Sequence, residues 1–400
     1  MLYLFIGAVT FLAAGAGSHF ITKWLLQRAL QNGWLDEPHS SRKVHQHATP
    51  TAGGVGIAGG MAVGLAMLVL AASLAGVSLL LPSWAFWMGA FVMLITGFVD
   101  DVKGASFKKK FFIQAAVAYV LLHFGYGVDV NALLPIEIDP YHATLLTVPV
   151  TMGWVVGVMN AVNFVDGLDG LAGGVVLIGV AALGISFGLH GEWGMLLTAL
   201  AVCGALVGFL RHNFYPASIF MGDSGSLLLG YMAAVLPLVA PLNAHPVVNV
   251  LIPVVVLGLP ILDVITTIMR RLLKRKSIFV PDKDHIHHRL LCNWPEPDAV
   301  GGMYFAASWF ALAAVIMAVV PPMWSYAVCG ATAIVSAAWI VWLGYFDDHV
   351  SVRAKFPHVF PASQTPTSRG TAQPMLNDAN EPSQPNGAPP PVRPAEISDS

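Results

Sequence analysis

The chain is poor in charge and in cysteine. Only 10% of its 400 residues are Asp, Glu, Lys or Arg, and its three cysteines, Cys203, Cys292 and Cys329, lie far apart. Three scattered thiols, two of them inside apolar runs, imply neither a disulfide framework nor a cysteine metal site. The formal charge of −2 comes without any stripe of basic residues interleaved with aromatics, so no nucleic-acid partner is expected. There is no convincing internal repeat. Apolar residues, in contrast, make up 56% of the chain, and the mean hydropathy of +0.69 is far from that of a soluble domain.

Those residues fall into successive runs approaching the ~20 residues needed to cross ~30 Å of hydrocarbon. About eleven spans are predicted on that criterion, near 2–21, 53–76, 83–99, 111–128, 144–162, 171–189, 193–210, 224–242, 248–269, 303–320 and 324–345. The first lacks a basic leader and an obvious cleavage site, so it is read as a retained span. With the N-terminus outside, all 20 Lys and Arg fall at or in cytoplasmic segments, and the other side carries only acids such as Asp129, Glu137, Asp139 and Glu192. This is the positive-inside pattern, and adding or losing one middle span would destroy it. The expected fold is all-α: a polytopic membrane helical bundle over residues 1–346, N-terminus outside and C-terminus cytoplasmic. From about Phe360, Pro, Ser, Asn and Gly replace the large apolar residues, so 347–400 is expected to be a disordered cytoplasmic tail.

Four polar islands interrupt this pattern. In NAVNFVDGLDGLAGG, Asn160, Asn163, Asp166 and Asp169 recur every third residue, which on helical turns places them on one side. Carboxylates near a bilayer are costly without a function or partner, and amide plus carboxylate oxygens suit a hard cation; a polar hairpin is the plainer alternative. In GFVDDVKGASFKKKFFIQ, Asp100 and Asp101 repel unless a cation or donors compensate them. Lys108 and Lys109 read as inner-leaflet anchors. In MGDSGS, Asp223 is either an accessible metal ligand or a helix cap. In PDKDHIHHRLL, His285, His287, His288 and Arg289 are donors suited to phosphate, whereas zinc lacks a cysteine or a fourth ligand at a usual spacing. Asp263, inside the ninth span, reads as structural. Arg42, Lys43, His45 and His47 precede Gly53 and Gly54, a possible phosphate-favouring helix start or a simple lipid anchor. The four islands share the cytoplasmic face, which points to a single magnesium-dependent site for a diphosphate.

PTAGG, VDDVKG with Lys110 following, NAVNFVDGLDGLAGG, FMGDSGS and PDKDHIHHRL together resemble the polyprenyl-phosphate N-acetylhexosamine-1-phosphate transferases, glycosyltransferase family 4, from about Arg42 to Leu290. RKVHQHATP and HIHHR look most like the bacterial undecaprenyl-phosphate GlcNAc-1-phosphate transferases. The phospho-MurNAc-pentapeptide branch usually has three consecutive histidines, where this chain reads His285-Ile286-His287-His288. The resemblance implies a multi-pass enzyme of the bacterial inner membrane with its active site facing the cytoplasm. Its substrates would be UDP-GlcNAc and undecaprenyl phosphate, its cofactor Mg2+ with Mn2+ as an alternative, and membrane lipid its surroundings; a homodimer is compatible with it. It further implies that Asn163 and Asp223 hold the metal and that Asp100, Asp101, Lys110, Asp166, His287 and His288 form the catalytic set. Asn160, Asp169, Phe220, His285 and Arg289 would contact substrate, with Asp169 at the uracil and Phe220 stacked on it. An ion-coupled transporter is the alternative from another class, but transporters usually bind near the midplane and often show repeat symmetry.

Overall fold

Every predicted apolar run becomes helix in the computed structural model, which describes residues 1–32, 49–131, 139–275, 285–292 and 294–345. All of these lie within one unit, Met1–Phe360. The tail and the basic residues Arg42 to His47 lie outside the described residues. Thirteen α-helices follow in order: α1 (Leu2–Asn32), α2 (Gly53–Leu74), α3 (Trp84–Lys103), α4 (Phe107–Leu122), α5 (Pro140–Val165), α6 (Leu171–Leu189), α7 (Trp193–Asn213), α8 (Gly222–Val235), α9 (Pro246–Val256), α10 (Gly258–Leu273), α11 (Ile286–Leu291), α12 (Glu296–Val319) and α13 (Pro322–Trp342). A bilayer offers backbone groups no partner, so helices that satisfy their own N–H and C=O are the natural outcome of these sequences.

The helix α8 is the centre of the bundle. Ser224 through Val235 are all buried, and α2, α3, α5 and α6 pack around them. A helix that is apolar on every side has no face for solvent and is driven to such a position. Close approach is allowed by small residues: a Cβ on Gly97 of α3 would stand 2.2 Å from the Asp223 carbonyl oxygen. Large apolar side chains that remain exposed, such as Phe5, Phe91, Phe112, Phe305 and Ile334, lie on the outer helices α1, α3, α4, α12 and α13. The protein is thus a polytopic helical membrane bundle.

Not every helix of the bundle is long enough by itself to cross a membrane. Among the described residues, eight helices are individually long and apolar enough to cross a membrane, or nine if the bent pair α9 and α10 is one span. The helices α4 and α8 have 16 and 14 residues. Protein shields α8 on all sides, so hydrocarbon thickness does not set its length. The α9–α10 pair bends by 76°. Its break falls between Pro253 in α9 and Pro260 in the first turn of α10, where prolines remove backbone donors.

Candidate active site

The site is built on the N-terminal end of α8. Asp101, near the end of α3, accepts hydrogen bonds from the backbone N–H of Asp223 (2.7 Å) and of Ser224 (3.0 Å). It therefore caps α8 from a neighbouring helix and satisfies donors that the first turn leaves open. Asp223, relieved of the capping role, turns its carboxylate outward to two donors. Lys110 Nζ donates to its Oδ2 at 2.7 Å and Asn163 Nδ2 to its Oδ1 at 2.8 Å. Lys110 also donates to Asp100 Oδ2 at 2.6 Å, and Asn163 to Ser226 Oγ at 2.8 Å. The adjacent carboxylates Asp100 and Asp101 thus have different donors and different work, which removes the repulsion their adjacency suggested.

A second element, the turn between α5 and α6, closes the cavity. Asp169 Oδ2 accepts from Ala217 N at 2.8 Å, while its Oδ1 is buried with no hydrogen-bond partner among the described residues. Thr51, Asp101, Asn163, Asp166, Gly167, Leu168, Asp169, Asn213, Phe220, Met221, Gly222 and Asp223 line a cavity of 280 Å³. Asp166, just past the end of α5, has no side-chain partner among the described residues, and burial, then the nearby Asp223, Asp101 and Asp169, pushes its carboxyl up to about 8. Asn160 is not part of this lining. Its Nδ2 donates to Gln114 Oε1 (2.9 Å) and to Val156 O (2.7 Å), so the substrate contact expected for it is replaced by a bond between α5 and α4. The physical reason is depth: Asn160 lies almost a full turn further into the bundle than Asn163.

The histidine motif forms α11 and approaches from the other side. Asp263 accepts from Ile286 N at 2.7 Å and contacts His285 Nδ1 at 2.7 Å, the structural pairing expected for this aspartate. His285 and His287 stack at 5.8 Å, and His287 and His288 lie 4.2 Å apart between ring centres. His287 is buried against the cavity turn; a Cβ on Gly167 would stand 2.6 Å from its Nε2. Burial, then His288 and His285, holds the His287 imidazole well below its usual value, so it is neutral at neutral pH. Arg289 departs from expectation. Its guanidinium lies 4.7 Å above the Tyr345 ring and donates to the Gly344 carbonyl, so this cation serves the end of α13 and not the cavity. Successive residues of a helix diverge by about 100°, so His287, His288 and Arg289 cannot all face one ligand.

Among the described residues no three His, Cys, Asp or Glu side chains converge as a ready-made metal cage. What the cavity offers is an open set of oxygen donors, Asp101, Asn163, Asp166 and Asp223, with Lys110 in contact with Asp223. A carboxyl pushed up by burial and by neighbouring carboxylates, as that of Asp166 is, fits a divalent cation that completes its coordination with water and phosphate oxygens, as Mg2+ does. Sequence reasoning missed Asn213, Ser226, Gln114, Glu296 and Tyr304. Asn213, in RHNFYPAS at the end of α7, was legible from its position on the same face; Glu296 and Tyr304 lie in no polar motif.

The helical bundle and its acid-lined cavity define the class: a multi-pass membrane protein with a polar cavity at its helix ends. The chain belongs to glycosyl transferase family 4, whose sequence profile matches residues 83–240. It is 38% identical over 271 residues to the probable undecaprenyl-phosphate N-acetylglucosaminyl 1-phosphate transferase of Bacillus subtilis (strain 168), covering 68% of this chain and 73% of that one. It is 35% identical over 315 residues to the decaprenyl-phosphate N-acetylglucosaminephosphotransferase of Mycolicibacterium smegmatis, covering 71% and 75%. With the undecaprenyl-phosphate alpha-N-acetylglucosaminyl 1-phosphate transferase of Yersinia pestis it shares 29% over 299 residues, covering 73% and 76%.

Proposed function

We propose that the protein transfers N-acetylglucosamine 1-phosphate from UDP-GlcNAc to undecaprenyl phosphate at the cytoplasmic face of a bacterial inner membrane, releasing UMP and starting a cell-surface polysaccharide. The observation that carries this reading is Asp223 held between Lys110 and Asn163 in the lining of an acidic cavity, in a chain whose relatives are named undecaprenyl-phosphate N-acetylglucosaminyl 1-phosphate transferases.

An oxygen of the acceptor phosphate attacks the sugar-linked phosphorus, and the bond from that phosphorus to the UMP oxygen breaks. Phosphoryl transfer asks the protein for positioning and charge neutralisation more than for covalent chemistry. Asn163 and Asp223, with Asp166 nearby, would hold Mg2+, which supplies charge neutralisation on the diphosphate when bound. Lys110 is oriented by Asp100 and Asp223 so that its ammonium meets phosphate oxygens at the helix ends. Neutral His287, packed on Gly167, offers a ring nitrogen as a phosphate donor without adding fixed charge. Asp169 and Phe220 bound the nucleotide side of the cavity. The prenyl chain of the acceptor stays in lipid, with its phosphate at the inner interface beside Lys108, Lys109 and Lys110 at the start of α4.

The test uses membranes carrying the full chain, radiolabelled UDP-GlcNAc and undecaprenyl phosphate, with UDP-MurNAc-pentapeptide in a parallel arm. Lipid-extractable label and stoichiometric UMP are expected from UDP-GlcNAc alone. Turnover restricted to the pentapeptide donor would overturn the assignment of the sugar.

A further inference from the structure

Glu296 opens α12 and Tyr304 lies two turns further along the same stripe of that helix. Both reach the turn between α5 and α6. Glu296 Oε1 accepts the backbone N–H of Asp169 at 3.1 Å, and the Tyr304 hydroxyl donates to the Gly170 carbonyl at 2.7 Å. Asn213 Oδ1 accepts the Gly170 N–H at 3.1 Å, and Ala217 N donates to Asp169 Oδ2 at 2.8 Å. Four hydrogen bonds from outside the turn therefore fix two consecutive residues. Gly170 sits at φ +76°, where a side chain would be strained, so the turn has no easy alternative shape. One polar atom is left out of this arrangement: Oδ1 of Asp169, a residue of the cavity lining, is buried without a partner among the described residues. A buried acceptor left unsatisfied is costly, and a ligand that brings a donor would relieve that cost.

We infer that Glu296 is a positioning residue for nucleotide recognition: by gripping the Asp169 amide it aims Asp169 Oδ1 at a base that carries a ring N–H. A uracil imide has that hydrogen and a neutral cytosine ring does not, so the clamp selects UDP-sugars over CDP-sugars. The inference rests on the proposed function, which puts a uridine nucleotide in this cavity. Its carrier lies outside the residues that match the family profile and outside every polar motif of the sequence.

The experiment compares wild type, Glu296→Ala, Glu296→Gln and Tyr304→Phe as full-length protein, measuring kcat and the separate KM values for UDP-GlcNAc and undecaprenyl phosphate. Glu296→Ala should raise the UDP-GlcNAc KM roughly tenfold, with kcat within about threefold and the acceptor KM within about twofold. Glu296→Gln keeps an acceptor oxygen in the same place and should recover most of the loss; Tyr304→Phe should show a smaller shift of the same kind. A rise shared equally by both substrates, an unchanged UDP-GlcNAc KM, or a glutamine variant as impaired as alanine would overturn the inference. If wild type does not turn over UDP-GlcNAc, the proposed function fails first, and thermal protection by UMP and CMP then decides the clamp alone. Protection by UMP, lost in Glu296→Ala and kept in Glu296→Gln, supports it; no UMP protection in wild type, or equal protection across the variants, overturns it.

Discussion

Two cavities lie at the two ends of α8, and α5 borders both. The one at the N-terminal end measures 280 Å³ and is ringed by Asp101, Asn163, Asp166, Asp169 and Asp223. The one beyond the C-terminal end is larger, at 380 Å³, and is lined mainly by Val128, Val150, Trp154, Pro237, Leu238, Pro253 and Val254. Size favours the second as the working site, yet polar groups on its wall are already paired within the fold. Trp154 Nε1 donates to Ala234 O at 2.9 Å, and Asn249 Oδ1 accepts from Leu242 N at 2.7 Å. In the smaller cavity Asp169 Oδ1 has no partner among the described residues, and burial with the nearby carboxylates pushes the Asp166 carboxyl up. Unmet polar demand, and not volume, separates a site from a packing defect.

The comparison breaks most visibly at Asp223. Asp223→Asn should lower transfer by at least ~1000-fold, because it removes charge at the centre of the Lys110 and Asn163 contacts, while the protein stays in the membrane. Initial rates across a Mg2+ titration, with an excess-chelator arm, check this, and full turnover in chelator would sink the divalent-cation reading.

A smaller loss, on the order of 100-fold, is expected for Asp100→Asn. A phosphate monoester has its second pKa near ~6, so the acceptor is largely dianionic at neutral pH and needs no general base. An ordinary aspartate, near ~3.9, would be a poor one. Asp100 instead orients Lys110, so the loss should persist from mildly acidic to alkaline pH. A pH–rate profile at saturating Mg2+ measures it; rate restored at high pH, where the acceptor ionises without help, would assign Asp100 as the base.

At the apolar end, Trp154→Phe removes the bond to Ala234 O and should cost about 1 kcal/mol of stability. Thermal unfolding reads that loss, and kcat/KM for both substrates should remain within about twofold. Should this variant lose as much turnover as Asp100→Asn, the division of labour between the two cavities would be wrong. The smallest effect belongs to the tail: truncation after about Phe356 should leave transferase activity per membrane-inserted molecule within about twofold, since a Pro- and Ser-rich segment cannot build a core.

The sequence by itself determined the helical membrane class and singled out most residues of the candidate site. Long apolar runs in a solvent without hydrogen-bond partners can only be helices here, and the polar motifs between them already named the acids, the amide and the lysine that meet at the N-terminal end of α8. Tertiary structure decided which residue meets which partner. Nothing local distinguishes Asp100 from Asp101; the neighbours do, since α8 meets one and Lys110 the other. The same is true of Asn160, taken by Gln114, of Arg289, taken by Tyr345 and Gly344, and of Glu296, brought to Asp169 from a distant helix. The bend between α9 and α10 and the short, protein-shielded α8 were likewise outside the reach of a span count. The reason is common to all of them: neighbouring helical positions point about 100° apart, and which direction meets a partner is a property of the packed bundle, not of the chain segment.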